Sequence, residues 1–248
     1  RLNAMTADAA QFLDICMKLG KNILVSGGTG SGKTTLLSVL TNRIPRGQRI
    51  IVIEDSSELK VEYEHVVFFE TQMADEQGHG EVTIRDLLKS SLRLRPDRII
   101  VGEVRGGEAL ELIQAMNTGH KGCLGTIHAN SAPDALVRLE ALAQGADSQL
   151  SEKALRHQIG SAIDVVVQIS RYSDGSRRLA SIAEVMGFAP DGSYHVESIY
   201  EMSRLLKMPD GKLKGQIEPT GTLPSFMEEI EDNQIPFGRS KFQKKPAA

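Results

Sequence analysis

The sequence predicts an α/β protein with a doubly wound, mainly parallel sheet, and three observations support this fold class. Continuous β-branched runs at 49–54 and 98–102 are typical of strands that are covered on both faces. Between residues 20 and 145 such runs alternate with segments of helical periodicity, as they do in parallel α/β sheets. After about residue 161, strand-like stretches separated by Asp-Gly turns indicate antiparallel strands that extend the same sheet.

The individual elements follow from the spacing of the apolar residues. A first helix is predicted at 6–19, between an N-capping Thr6 and a terminating Gly20. The same spacing predicts helices at 31–43, 82–94, 107–118 and 132–143. Apolar runs predict strands at 22–26, 49–54, 65–70, 98–102 and 122–128, and then at 163–169, 179–188 and 194–202. Turns are predicted at Asp174-Gly175, Asp191-Gly192 and Asp210-Gly211.

The composition is that of a globular protein and excludes several other classes. With 40% hydrophobic and 25% charged residues, the 248-residue chain is neither disordered nor fibrous. A formal net charge of -3 provides no global positive field for nucleic acid or anionic lipid. No apolar run approaches the roughly 18 residues of a membrane span and no secretory signal is visible, so we expect a cytoplasmic protein. Cys16 and Cys123 are predicted to be buried thiols.

The chain is predicted to form one main domain at residues 1–235. Residues 236–248 contain the basic segment KFQKKP and few apolar residues, so a flexible basic tail is predicted there. Because the chain opens at Arg1 rather than Met, and directly in a helix-like segment, we expect an upstream part of the protein to be missing.

Residues 27–34 fit the phosphate-binding pattern G-x-x-x-x-G-K-[ST], and they follow a predicted strand and open a predicted helix. Glycines allow backbone N–H groups to converge on phosphate, and the helix N-terminus adds partial positive charge. Lys33 is predicted to reach the β- and γ-phosphates, and the Thr34 hydroxyl to bind Mg²⁺. The predicted nucleotide-binding residues of this loop are Gly27, Gly28, Thr29, Gly30, Ser31, Gly32, Lys33, Thr34 and Thr35.

Three carboxylates, Glu54, Asp55 and Glu58, stand at or just past the end of the predicted strand 49–54. Open α/β sheets bind their ligands at this edge, where Mg²⁺ and its waters are natural partners of carboxylates. A solvated acidic turn is the alternative interpretation of this segment.

Glu103 ends the predicted strand 98–102, where it can polarise an attacking water. Gly102 stands where many P-loop enzymes carry a metal-holding Asp. His120 and His128 bracket the next strand, and a histidine at the carboxyl end of a strand can sense the γ-phosphate or hold the catalytic water. A core histidine with satisfied hydrogen bonds is the alternative for each of them.

Four segments occur in a characteristic order: GGTGSGKTT, IEDSSEL, RPDRIIVGEVRGGEA and AMNTGHKGCLGTIHANS. They resemble the Walker A motif, Asp box, Walker B motif and His box of the type II/type IV secretion ATPase superfamily. VGEVRGGEA and TIHANS are similar to the CpaF/TadA-type ATPases of tight-adherence pilus systems. The resemblance covers about residues 5–235.

The resemblance implies a RecA-like P-loop core that hydrolyses ATP with Mg²⁺. It also implies a homohexameric ring at the cytoplasmic face of the inner membrane, which acts on a membrane platform protein to assemble or retract a pilus or a type II pseudopilus. The implied catalytic residues are Glu103, Lys33, His128 and Glu58; the implied metal ligands are Thr34, Glu54 and Asp55, partly through water; and the implied nucleotide contacts outside the loop are Arg85, Arg105 and His120. For the two arginines, ordinary surface ion pairing is the alternative.

Members of this superfamily carry a separate N-terminal domain that supplies arginines to the nucleotide, and this chain starts at its edge. We therefore expect the chain alone to bind nucleotide weakly and to hydrolyse it slowly. Cationic groups placed at the γ-phosphate contribute up to about 10³ to 10⁵ in rate in other P-loop enzymes.

Alternative functions remain at this point. An ATPase of a conjugation or type IV secretion channel would share all four motifs. Direct contact with DNA is not expected, because aromatic residues make up only 4% of the chain and Trp is absent. A nucleotide-gated scaffold that does not hydrolyse is the alternative of another class. A GTPase is disfavoured because no N-K-x-D motif occurs, and a metalloenzyme because no H-E-x-x-H or Cys/His cluster occurs.

Overall fold

The structure, a computed structural model, describes residues 4–146 and 150–244 of the chain. Its strands are β1 (Ile23–Ser26), β2 (Ile50–Glu54), β3 (Val66–Glu70), β4 (Arg98–Val101), β5 (Leu124–Ile127), β6 (Val165–Arg171), β7 (Arg177–Phe188), β8 (Tyr194–Met202), β9 (Leu206–Lys207), β10 (Leu213–Lys214) and β11 (Ile217–Pro219). Its helices are α1 (Ala7–Leu19), α2 (Lys33–Thr41), α3 (Ile84–Ser91), α4 (Glu108–Asn117), α5 (Ala132–Gln144), α6 (Glu152–Ala162) and α7 (Met227–Asp232), with 3₁₀ turns at Leu92–Leu94 and Arg239–Phe242.

Within the described residues, nine strands form one sheet in the order β11-β8-β7-β6-β1-β5-β4-β2-β3, and β9 and β10 form a separate two-stranded ribbon. The strands from β6 to β3 in this order run parallel. Strands β7, β8 and β11 continue the sheet with antiparallel pairing. The predicted fold class, a mainly parallel α/β sheet extended by antiparallel strands, is confirmed.

Helices cover both faces of the sheet because the side chains of its central strands alternate between two apolar cores. In β2, Ile50 and Val52 belong to the core that contains α1 and α2, whereas Ile51 and Ile53 belong to the core that contains α4, α5 and α6. All four side chains are fully buried. None of the helices in the described ranges is both long enough and apolar enough to cross a membrane.

The C-terminal half follows the predicted turns. Gly175, Gly192 and Gly211 adopt φ values of 79°, 83° and 80°, and they close the turns between β6 and β7, β7 and β8, and β9 and β10. Helix α6 was not predicted, although its buried Leu155 and Ile159 stand four residues apart, as on one face of a helix. The apolar pattern of α6 is weak in the sequence, because only one narrow face of the helix packs against the core.

Both cysteines are buried and free, as predicted. Burial raises the pKa of the Cys16 thiol, and it raises the pKa of the Cys123 thiol to about 12. Since the thiolate is the reactive form, neither cysteine is suited to chemistry at neutral pH.

The C-terminal segment corrects the prediction of a flexible tail at 236–248. Phe237 is 1% exposed and Phe242 is 0% exposed. Both rings pack against Phe12 of α1, with ring centroids 6.5 Å and 5.5 Å away. Two buried aromatic rings outweigh the polar composition of the segment and hold it on the domain. Residues 245–248 lie outside the described residues.

We expect Phe242→Ala to lower the free energy of unfolding by about 3–5 kcal/mol, the usual cost of truncating a buried Phe. Urea unfolding followed by circular dichroism measures the change. Phe68→Ala is the control, because Phe68 is 46% exposed. Equal effects of the two substitutions would show that the C-terminal segment does not pack on the core.

Candidate functional site

A cavity of about 580 Å³ opens at the carboxyl ends of the adjacent strands β1, β5, β4 and β2. Open parallel sheets bind ligands at this edge. The segments that follow these four strands are the four motifs singled out in the sequence, so the fold brings them together. The predicted site residues that line the cavity are Thr29, Gly30, Ser31, Gly32, Lys33, Thr34, Thr35, Glu54, Asp55, Glu58, Glu103, Arg105 and His128.

The phosphate-binding loop needs glycine at two of its positions. A Cβ on Gly27 would overlap the carbonyl oxygen of Ile169 in β6, so only glycine allows the loop to lie against that strand. Gly32 precedes α2 with φ 102°, a conformation that side chains disfavour. The loop therefore delivers the N-terminus of α2 to the cavity, where its partial positive charge favours an anion.

Lys33 is buried at the base of the loop. Its Nζ donates to the carbonyl oxygens of Gly27 at 3.0 Å and Gly28 at 3.2 Å, and lies 3.3 Å from Nε2 of His128. Burial lowers the pKa of Lys33, and the nearby Glu103 carboxylate opposes this shift. Among the residues that the structure describes, no carboxylate forms an ion pair with Lys33, so its charge is available to a phosphate.

Glu103 connects three of the motifs. Its Oε1 lies 2.6 Å from Nε2 of His128, and its Oε2 lies 2.5 Å from Nη2 of Arg105. Arg105 Nη1 reaches Oδ2 of Asp55 at 3.1 Å. The hydrogen bond to Glu103 raises the pKa of Arg105 further. The acid at the end of β4 is thus held between a histidine on one side and an arginine on the other.

His128 lies between a carboxylate, which needs a hydrogen-bond donor, and an ammonium group, which needs an acceptor. Burial lowers the pKa of His128, and the charge of Lys33 lowers it further, so the imidazole is neutral at neutral pH. Its Nε2 faces both Glu103 Oε1 and Lys33 Nζ. In a neutral imidazole this nitrogen either donates or accepts a hydrogen bond, so it can satisfy only one of the two partners at a time.

Glu54 explains why position 102 carries glycine. The Glu54 side chain is buried, and its Oε1 accepts the backbone N–H groups of Glu58 at 3.2 Å and Leu59 at 3.0 Å. Burial raises the pKa of this carboxyl. A Cβ on Gly102 would lie 2.9 Å from Cγ of Glu54. The space that a side chain at position 102 would need is therefore occupied by Glu54 of the neighbouring strand β2.

Four predicted nucleotide contacts do not line the cavity: Gly27 and Gly28 of the loop, and His120 and Arg85 outside it, and for the last two the structure shows other contacts. His120 precedes β5 (Leu124–Ile127), and its Nδ1 lies 3.3 Å from the Ala115 carbonyl oxygen. A strand of four residues spans about 13 Å. His120 therefore lies near the amino ends of the strands, whereas the loop lies at their carboxyl ends. Arg85 Nε donates to Glu111 Oε1 at 2.7 Å, which is the ordinary ion pairing considered as the alternative.

Arg177 of β7 lines the cavity and was not predicted. Its Nε donates to the Gly30 carbonyl oxygen at 2.8 Å, across 147 residues of sequence. The Asp-Gly turn at residues 174–175 indicates a hairpin, but it does not say which side of the hairpin meets the loop. No sequence signal that we recognise would have identified this residue.

The oxygen atoms in the cavity suit Mg²⁺. Thr34, Glu54 and Asp55 offer a hydroxyl and two carboxylates, the ligand types that this hard cation prefers. Over residues 4–146 and 150–244, no group of three or more His, Cys, Asp or Glu side chains could hold a metal ion by itself. The donor set therefore fits a Mg²⁺ that phosphate oxygens and water help to coordinate, as is usual for this ion.

A family model described as type II/IV secretion system protein matches residues 1–202. The chain belongs to this family. A relative in Mycobacterium tuberculosis whose name assigns it to conjugal transfer is 46% identical over 160 residues, which cover 64% of this chain and 45% of the relative. The conjugal transfer protein TrbB of Rhizobium radiobacter is 41% identical over 187 residues, which cover 74% of this chain and 54% of TrbB.

This chain of the secretion family is also similar to a solved structure. The VirB11 ATPase of the Brucella suis type IV secretion system, crystallised with sulphate, has a TM-score of 0.65 and 34% identity, covering 71% of this chain and 52% of VirB11. The predicted RecA-like fold is confirmed, and the VirB11 protein that shares it is named an ATPase. The chain spans about half the length of the relatives it matches.

Proposed function

We propose that this chain binds Mg²⁺ and ATP and hydrolyses ATP as the catalytic part of a secretion motor. The convergence of Lys33, Glu103 and His128 on one cavity at a phosphate-binding loop carries the proposal. The 34% identity to an ATPase of the same fold supports it.

The charges in the cavity call for a cation together with the nucleotide. Of the residues that the structure describes, four carboxylates line it, namely Glu54, Asp55, Glu58 and Glu103, against three cationic side chains, namely Lys33, Arg105 and Arg177. With His128 neutral, this leaves one negative charge in excess, which disfavours a polyphosphate. Mg²⁺ would reverse this balance and neutralise charge on the phosphates, held by Thr34 and, through water, by Glu54 and Asp55.

Glu103 is proposed to polarise the attacking water. Its carboxylate stands at the cavity, where it can accept a proton; Arg105 pairs with its Oε2, and Nε2 of His128 lies 2.6 Å from its Oε1. A bound phosphate would draw Lys33 from the loop carbonyls, which leaves Nε2 of His128 free to donate to Glu103 Oε1. Glu58 lines the same cavity and is proposed to assist from the Asp-box side.

The machinery that the motor serves is a separate proposal. The relatives described above bear names from conjugal transfer and type IV secretion, which favours a type IV secretion or conjugation ATPase. The motifs VGEVRGGEA and TIHANS support a motor of a tight-adherence pilus or a related type II system as the second candidate. In either case we propose a homohexameric ring at the cytoplasmic face of the inner membrane, with a membrane platform protein as its partner and no direct contact with nucleic acid.

Turnover with purified chain tests the catalytic proposal. We expect slow hydrolysis of ATP that stops when EDTA removes Mg²⁺, and weaker use of GTP because no guanine-reading motif occurs. Phosphate release and single-turnover assays with excess protein measure it. Binding of MgATP without any single-turnover hydrolysis would favour the nucleotide-gated scaffold, and absence of nucleotide binding by folded chain would refute the proposal.

A further inference from the structure

We propose that Arg177 is a phosphate-binding residue of the nucleotide site, contributed by the antiparallel extension of the sheet rather than by the P-loop core. The inference rests on the proposed function, because it names a further contact to the same nucleotide. None of the four sequence motifs contains this residue.

Arg177 already contacts the phosphate-binding loop. Its Nε donates to the Gly30 carbonyl oxygen at 2.8 Å. Its Cδ lies 3.4 Å from the position that a Cβ on Gly32 would occupy, and Arg177 lines the same cavity as Lys33. The guanidinium thus stands beside the loop that is built to hold phosphate.

The charge of Arg177 is uncommitted. Arg105, the other arginine that lines the cavity, is paired with both Glu103 and Asp55. Within residues 4–146 and 150–244, no carboxylate forms an ion pair with Arg177, and Nε is the guanidinium nitrogen with a hydrogen-bond partner. The two terminal NH₂ groups therefore keep four N–H donors for an anion, in the planar arrangement that matches phosphate oxygens.

Arg178, the next residue along β7, fixes the position of Arg177. Arg178 is buried, and its Nη2 pairs with Asp174 Oδ2 at 3.0 Å and donates to the Leu213 carbonyl oxygen at 2.8 Å. A hydrogen bond from Ser176 lowers the pKa of Asp174 to about 2, so this pair stays charged at neutral pH. Neighbouring side chains of a strand point to opposite faces, so anchoring Arg178 on one face orients Arg177 on the other.

Arg177→Gln tests the inference, because glutamine keeps a polar side chain and removes the charge. Arg171→Gln is the matched control. Arg171 lies opposite Arg177 in the backbone register of the same hairpin and is exposed, but it does not line the cavity. We expect Arg177→Gln to weaken MgADP binding about ten- to a hundredfold, the range for a hydrogen bond between charged groups. Binding of adenosine, which has no phosphate, should stay unchanged.

Calorimetry with MgADP and ligand-observed NMR with adenosine provide the measurements. Arg177→Lys should recover part of the MgADP affinity, since it restores the charge without the planar donors. Unchanged MgADP binding by Arg177→Gln, an equal loss for adenosine, or an equal loss in Arg171→Gln would each overturn the assignment. If the unaltered chain binds no MgADP, the proposed function itself fails, so the two failures are distinguishable.

Discussion

Glu103→Gln should lower single-turnover ATP hydrolysis by about 10²- to 10⁴-fold, the range for loss of a general base. Glutamine has the shape of glutamate but cannot accept the proton of the attacking water. MgATP affinity should change little, because the loop residues and Lys33 hold the phosphates. The substitution also removes a charge that Arg105 now neutralises, so Arg105 should become more mobile.

Rapid-quench measurement of phosphate release, with protein in excess over ATP, checks this prediction, and filter binding or calorimetry gives the affinity. Glu70→Gln is the matched control, because Glu70 ends β3, pairs in register with Glu54 at the same sheet edge, and does not line the cavity. Hydrolysis by Glu103→Gln at the rate of the unaltered chain would assign the base elsewhere, with Glu58 as the next candidate.

Lys33→Ala should weaken MgATP binding by the chain by at least about ten- to a hundredfold, the cost of removing one hydrogen bond between charged groups. The fold should not suffer. Burial lowers the pKa of Lys33, which means that the charged amine is held at a cost when no phosphate is present. Removing it should therefore leave the free energy of unfolding unchanged or raised, as is common for residues kept for function.

Equilibrium binding and urea unfolding, carried out on the same preparations, separate the two effects. Lys60→Ala is the control, since Lys60 is an exposed lysine of the Asp-box loop that does not line the cavity. A Lys33→Ala protein that unfolds more easily and binds MgATP normally would mean that Lys33 is structural, and the phosphate assignment of the loop would have to be withdrawn.

The predicted site residues that the fold brings to the cavity share one property. The phosphate-binding loop, Glu54, Glu103 and His128 each lie at the carboxyl end of a parallel strand or within two residues of it. Parallel strands place these ends along one edge, so a local pattern is enough to assemble the group. His120 is the counterexample, because it belongs to the same motif as His128 but precedes the strand, and β5 separates the two.

Several features could not be predicted, because they depend on contacts between residues that are far apart in the sequence. Arg177 reaches Gly30 only because β6 and β7 pair antiparallel in a particular register. Phe242 packs against Phe12, near the other end of the chain. No pattern in a polar segment indicates where a single aromatic ring will pack. The glycine at position 102 has its reason in the Glu54 side chain of the neighbouring strand, which the sequence places 48 residues earlier.

The sequence by itself determined the sheet class, the phosphate-binding loop and the acids beside it, because strand periodicity and strand-end chemistry are local. The tertiary structure alone decided which of the histidines and arginines line the cavity and which pair elsewhere. The physical reason is that the role of a charged side chain depends on its partners. Arg85 pairs with Glu111 and Arg105 pairs with Glu103, whereas no carboxylate of the described ranges pairs with Arg177 at the phosphate-binding loop.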